Sequence, residues 1–363
     1  MKIICIYNYY SFLLILSCYI NSINCVININ DAQNTMKAVV ASAVASKEGD
    51  FSKISVKNIS IPTPSSGEVL IKVAASSVNP VDWKILTGGL PLKFPHTLGF
   101  DVSGTVAQCN DCKRLKENDV VWADLGKTWL LRGGELGAYA EYALADEEQV
   151  GLKPNGMDIY SAGTLPLVSL TSYQALKMTG IFSSGGNNNL TVVVTSGAGG
   201  TGFTGIQLAK AAGATRVITA ASPTNDQWLT SIGATDVVDY HQTTIWEYLK
   251  DQDVKVDIVY DNYGAPGTAD LAMPYFRSGG VFIYLPGKGG GKAKHPRKDV
   301  KEINYGLCDS SKHDDLDILA KYVENGKLKA KVDTWFTLDN IKLAFNASIA
   351  GHIAGKIGIR IGL

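Results

Sequence analysis

The chain has 363 residues, 45% of them apolar and 19% charged, a balance that excludes a disordered or collagen-like polypeptide. Lys plus Arg and Asp plus Glu both number 34, so the basic excess of a nucleic-acid binder is absent and no nucleic-acid partner is expected. Glycine is frequent, at 37 residues against a usual ~7%, and aperiodic, which points to tight loops rather than a fibre.

The first 35 residues stand apart. Ser11 to Ile20 (SFLLILSCYI) is a short apolar run behind a weakly positive start. It is too short for a bilayer span, which takes ~20 residues, so no membrane span is expected. The pattern predicts a secretory signal peptide over residues 1–25, with small residues left by a cut after Ser22 or Cys25. That implies a secretory or extracellular destination. The absence of Arg speaks against a mitochondrial or plastid transit peptide. A true start at Met36 is the alternative, and it would leave the protein cytoplasmic.

From Met36 the chain reads as strands: Met36 to Ser42, Glu68 to Val78, Asp101 to Ala107, Val120 to Asp124 and Ala138 to Leu144. Short strands separated by Gly and Asn suggest a small or partly open β-barrel. Ser161 to Leu176 then shows helical spacing. Beyond it, strands alternate with helices. Strands are expected at Leu190 to Thr195, Arg216 to Ala221, Asp236 to Tyr240, Val256 to Asp261 and Gly280 to Leu285, with helices at Gly202 to Ala212 and Asp226 to Ile232. Such alternation with continuous apolar strands predicts a buried parallel sheet covered on both faces. A helix at Asp339 to Ala350 and a strand at Lys356 to Ile361 close the chain.

Beyond the leader the cysteines are Cys109, Cys112 and Cys308. Cys109-Asn-Asp-Cys112 lacks the second pair that zinc requires, so an ordinary loop is expected, with a local disulfide as the alternative. The loop Gly287 to Lys301 carries six Lys or Arg and one Asp. It reads as a solvated loop, with a role beside an anionic cofactor as the alternative.

The strongest motif is Thr195-Ser-Gly-Ala-Gly-Gly-Thr-Gly202, where Gly197, Gly199 and Gly202 form GxGxxG between an apolar strand and a helix. Glycines allow the tight turn and a close backbone approach to a pyrophosphate, and the helix presents unpaired N–H groups to that anion. Gly197, Gly199, Gly200, Thr201 and Gly202 are therefore candidate dinucleotide contacts. An NAD site carries Asp or Glu ~20 residues further on, for the ribose 2′-hydroxyl. Ser222 stands there instead, so a 2′-phosphate would not be repelled. With Tyr240 at the end of the next strand, this favours NADPH.

Several segments in order resemble the zinc-independent quinone oxidoreductase branch of the medium-chain dehydrogenase/reductase superfamily. They are Ser77-Val-Asn-Pro-Val-Asp-Trp-Lys84, Phe94-Pro-His-Thr-Leu-Gly-Phe-Asp-Val-Ser-Gly104, Leu165 to Leu176, the glycine turn, Ser231 to Tyr240 and Ala354-Gly-Lys-Ile-Gly-Ile-Arg360. The pattern is similar to members from mitochondria and from the plant plastid envelope. The resemblance implies an α/β fold: a GroES-like β domain (36–160, completed by 330–363) and a Rossmann doubly wound parallel sheet (161–329), with the active site between them. It implies NADPH, often a dimer, and hydride transfer to a quinone or an α,β-unsaturated carbonyl. Zinc-dependent relatives place Cys near Asn79 and a His-Glu pair near Phe100-Asp101, so no metal is expected here. By resemblance, Lys84 and Asn79 are the catalytic candidates, Asp82 orients their segment, and Asn262, Gly355 and Lys356 are cofactor contacts. A dinucleotide-binding scaffold or sensor without turnover is the alternative function.

Overall fold

The structure is a computed structural model that describes residues 34–88, 93–127, 136–184 and 189–362. The expected signal peptide lies outside the described residues.

The strands are β1 Thr35–Ala41, β2 Ile54–Ser60, β3 Glu68–Val78, β4 His96–Thr97, β5 Asp101–Asn110, β6 Val120–Asp124, β7 Tyr142–Asp146, β8 Gly151–Leu152, β9 Thr191–Val194, β10 Arg216–Ala221, β11 Asp236–Asp239, β12 Val256–Asp261, β13 Phe276–Tyr284, β14 Lys301–Asn304, β15 Val332–Thr337 and β16 Lys356–Arg360. The α-helices are α1 Pro80–Lys84, α2 Ile159–Ala162, α3 Pro166–Met178, α4 Gly200–Ala211, α5 Asp226–Ser231, α6 Ile245–Asp251, α7 Thr268–Ala272, α8 Asp314–Glu324 and α9 Ile341–Ala350.

Two sheet systems result. The first is mostly antiparallel, in the order β15-β16-β3-β5-β6-β8 with β7 also on β3, and is accompanied by a β2-β1-β4 sheet. An Ala38–Ala140 bridge ties the two together. The C-terminal strand β16 crosses back to pair antiparallel with β3, Ile357 opposite Val78. The second is the parallel sheet β11-β10-β9-β12-β13-β14. In β9 alternate side chains feed opposite faces. Val192 and Val194 enter the core under α3 and α4, while Val193 enters the core under α6 and α7. That is why Val192, Val193 and Val194 are apolar in succession: both faces are covered. The fold is the expected α/β pairing of a GroES-like β unit with a Rossmann sheet.

Three local expectations change. The single helix expected over Ser161–Leu176 is two, because Gly163 closes α2 and Pro166 opens α3 at its first position, where its missing N–H costs nothing. Ala138 and Tyr139 lie outside a strand and donate their backbone N–H groups to Gly99 and Leu98. Cys109 and Cys112 form a disulfide, with Cα atoms 5.8 Å apart, rather than an ordinary thiol-bearing loop. They are brought together at the end of β5, which pairs Cys109 with Val69. The basic loop, by contrast, is mostly exposed as expected, with two anchors. Arg297 donates to the carbonyls of Met273 and Phe276, and the His295 N–H to Asp270.

Candidate active site

The glycine turn connects β9 to α4. Each glycine answers to a different neighbour. A Cβ on Gly202 would stand 1.8 Å from the Ser196 carbonyl oxygen, and one on Gly197 would stand 2.4 Å from Thr219 Oγ1. Gly199 differs: a Cβ there meets nothing within 4 Å. The turn is thus tight on its protein side and open over Gly199, at the N-terminus of α4. Space above a helix N-terminus suits an anionic pyrophosphate, and the main chain can approach it closely only without a side chain.

Asn262, just past β12, holds this turn. Its Oδ1 accepts from the Ser196 N–H at 3.0 Å, and its Nδ2 donates to the Ser196 carbonyl at 2.9 Å and to Thr201 Oγ1 at 3.4 Å. Its amide mimics a strand partner for one residue, so the structure places it as a support of the turn. Gly355 approaches from the other unit and donates its N–H to Ala198 at 2.8 Å. The two other adenine-side candidates lie at the ends of neighbouring strands. Ser222 Oγ sits 3.1 Å from Thr224 Oγ1 and accepts from Asn225 Nδ2. Tyr240 is half exposed, with its ring against His241.

The facing wall comes from the β unit. Pro80 starts α1, and Lys84 ends it. Lys84 Nζ donates to the Gly287 carbonyl at 3.2 Å, spanning the two sheet systems. Asn79 is elsewhere. It is fully buried, its Nδ2 donates to Asp101 Oδ2 at 2.7 Å, and its Oδ1 accepts from Lys356 Nζ. Both amide ends are engaged and the side chain lies outside the lining of the cleft cavity, so it stands behind the cleft wall. Lys356 also departs from expectation. Its ammonium is buried, donates to the Val78 carbonyl and lies 3.7 Å from Asp101 Oδ2, so it faces the interior instead of a cofactor. Burial pulls its pKa down.

Around this lysine the carboxylates are organised. Asp101 accepts from Ser77 Oγ, Asn79 Nδ2 and the Leu167 N–H, beside the Lys356 ammonium. Asp82 accepts from the Asn79 N–H and from Tyr139 Oη, and burial pushes its pKa up. Asp124 pairs across the sheet with Asp101. Its own donors are the Gly126 N–H at 2.9 Å, the Cys308 thiol at 3.3 Å and Ser310. Burial, with Asp101 opposite, pushes Asp124 up to about 7.

Between the walls lies a cavity of about 590 Å³. Val81, Phe100, Leu167, Leu285 and Leu307 give it an apolar lining, while Lys84, Thr171, Asp124 and Cys308 add polar groups. Its floor follows the C-terminal ends of β13 and β14, the side on which open α/β sheets take ligands. Lys84 was foreseen in it. Asp124, Thr171 and Cys308 were not. An aspartate ending the otherwise apolar Val120–Asp124 strand was the available signal; Cys308 and Thr171 carried none.

The residues around Gly199 therefore fit a dinucleotide, and the cavity fits a mostly apolar co-substrate. Among the described residues, no group of three or more His, Cys, Asp or Glu is placed to hold a metal ion. The architecture is that of a two-unit dehydrogenase/reductase. Residues 65–155 match the alcohol dehydrogenase GroES-like domain, and 232–357 match the zinc-binding dehydrogenase family. The chain is 33% identical over 307 residues to an NADPH-dependent alkenal/one oxidoreductase, chloroplastic, of Arabidopsis thaliana, covering 83% of this chain and 74% of that protein. It is 32% identical over 308 residues to the chloroplast envelope quinone oxidoreductase homolog of the same plant, covering 82% and 91%. The solved quinone oxidoreductase from Coxiella burnetii superposes with a TM-score of 0.73 at 25% identity, over 90% of this chain and all of that one. The chain belongs to the quinone oxidoreductase branch of the medium-chain dehydrogenase/reductase superfamily.

Proposed function

We propose that the protein is an NADPH-dependent, zinc-independent oxidoreductase that reduces an α,β-unsaturated carbonyl or a quinone. The observation that carries this is an open turn at Gly199 near an apolar cavity: Val168 packs on Gly200, and its chain neighbour Leu167 lines the cavity, where Lys84 meets Gly287. In this reading residues 36–160 with 330–363 form one wall, and 161–329 the nucleotide wall. Gly197, Gly199, Gly200, Thr201 and Gly202 cradle the pyrophosphate, and Asn262 keeps Ser196 in place. Ser222 and Tyr240 receive the 2′-phosphate and adenine, and Gly355 closes over the turn. When bound, NADPH supplies the hydride.

The chain's own residues do the rest. The apolar lining excludes water from the acceptor and orients it. Lys84, at the cavity mouth, donates a hydrogen bond to the acceptor's carbonyl oxygen as charge builds there. Asn79 and Lys356 act one step back, fixing the segment that ends in Lys84. Zinc independence is supported by chemistry: Asn79, Phe100 and Asp101 offer no thiolate or imidazole, and the positive charge beside Asp101 is Lys356.

The chloroplastic names of two relatives favour an organelle that supplies NADPH over the secretory pathway. Fusing residues 1–35 to a fluorescent reporter tests that, and sedimentation tests the homodimer. The function itself is tested by following NADPH and NADH oxidation with a panel of quinones and 2-alkenals. Rapid NADPH oxidation with one acceptor class is expected. Tight NADPH binding with no turnover on any acceptor would transfer the role to a nucleotide-binding scaffold or sensor.

A further inference from the structure

Asp101 and Asp124 face each other on adjacent strands, yet their surroundings are unequal. The positive charge and three hydrogen-bond donors, two side chains and one backbone N–H, all converge on Asp101. Asp124 receives one backbone N–H, a weakly donating thiol and the Ser310 hydroxyl. It is 1% exposed and still lines the cavity. The cavity's other carboxylate, Asp309, sits in solvent at the rim. The two carboxylates are paired across the strands with unequal support, and burial favours a proton on Asp124.

We propose that Asp124 is the catalytic proton donor of the reduction, protonating the α-carbon of the enolate that hydride addition creates. This deepens the enone reading above and rests on it. The balance is simple. A dihydronicotinamide hydride forms the new β-C–H bond, and the C=C pair shifts onto the α-carbon and carbonyl oxygen as an enolate. The Asp124 O–H bond then breaks, its proton forms the α-C–H bond, and the carboxylate regains a proton from solvent after the saturated ketone leaves. Asp124 is the buried carboxyl that this mostly apolar cavity offers to an enolate within it. The carboxyl's pKa near 7 lets it both give and recover a proton. The groups facing it are Asp101 from β5, Lys356 from β16 and the Cys308 thiol, itself held protonated by burial and by Asp124.

The test uses the full chain, NADPH and an enone with an α-alkyl group, run in deuterated water. The wild-type protein is expected to deliver deuterium to one face of the α-carbon, with kcat falling as pH rises through about 7. Asp124→Asn is expected to keep NADPH affinity within about twofold, lower kcat ~100-fold or more, lose the alkaline limb and scramble the α-carbon face. Asp124→Glu is expected to recover part of the rate and of the pH profile. A racemic α-carbon from the wild-type protein, or Asp124→Asn with wild-type kcat and pH profile, overturns the proposal while leaving the reductase reading standing. If the wild-type protein turns over no acceptor at all, the reductase reading itself fails and takes this inference with it.

Discussion

The two walls of the cleft are built from different materials. The wall after β9 is backbone: a turn whose glycines leave room for an anion on one side and for Ser196 and Thr219 on the other. The wall at α1, β5 and β6 is buried side chain: Asp82, Asp101, Lys356, Asn79 and Tyr139 are linked by hydrogen bonds and an ion pair, with Asp124 paired to Asp101 along the backbone. Main-chain N–H groups bind without titrating. A carboxylate network both binds and stores protons, and its cost is paid in desolvation. The difference teaches that the turn binds through main-chain groups that do not titrate, whereas the side-chain wall is responsive to pH.

The sharpest way to break this contrast is Lys356→Met. It leaves Asp101 and its neighbours buried without their cation, and the expected loss is about 3–5 kcal/mol of stability, read by denaturant titration. A wild-type midpoint would mean that the network carries no charge worth balancing.

The next effect is pH-dependent. Asp124 has a raised native pKa, so the folded protein keeps a proton that the unfolded chain releases near 3.8. Its contribution to stability is complete below that value and is lost as pH rises through about 7. Asp124→Asn removes the titration. Its stability relative to the wild-type protein is therefore expected to increase by on the order of 3 kcal/mol between pH 4 and 8, and to stay flat above. Paired unfolding curves across that range check the sign.

On the backbone wall the expected effects are smaller. Asn262→Ala removes two hydrogen bonds to Ser196, so NADPH affinity should fall ~10-fold, with little change between pH 6 and 8. A steep pH dependence there would erase the distinction between the walls. Ser222→Ala is expected to cost NADPH only a few-fold and NADH nothing, read by fluorescence titration of both nucleotides.

The same contrast explains what the sequence made legible. A phosphate turn is local: Gly197, Gly199 and Gly202 are forced by contacts within one strand-turn-helix, so eight consecutive residues announce it. The strand alternation and the return of the C-terminal strand were readable for similar reasons of periodicity and resemblance. The carboxylate wall was not. Lys356 reaches Asn79 across 277 positions, and Cys308 reaches Asp124 across 184. No periodicity encodes such meetings, so Lys356 and Asn79 were expected in the cleft and lie behind it. Cys109 and Cys112 show the same limit at short range. Their spacing permitted a bond, and the pairing of β5 with β3 brings them to it.

The central claim is that the turn at Gly199 holds the cofactor's pyrophosphate. The most direct measurement is a calorimetric titration of NADPH into the wild-type protein and Gly199→Val, with thermal melts of both. A Cβ there meets no atom within 4 Å beyond its chain neighbours, so the fold should tolerate the substitution. The account predicts equal melting temperatures and a loss of NADPH affinity of ~100-fold or more, as the valine fills the space the anion needs. Equal melting temperatures with equal affinity would contradict it, because the nucleotide would then lie somewhere other than this turn.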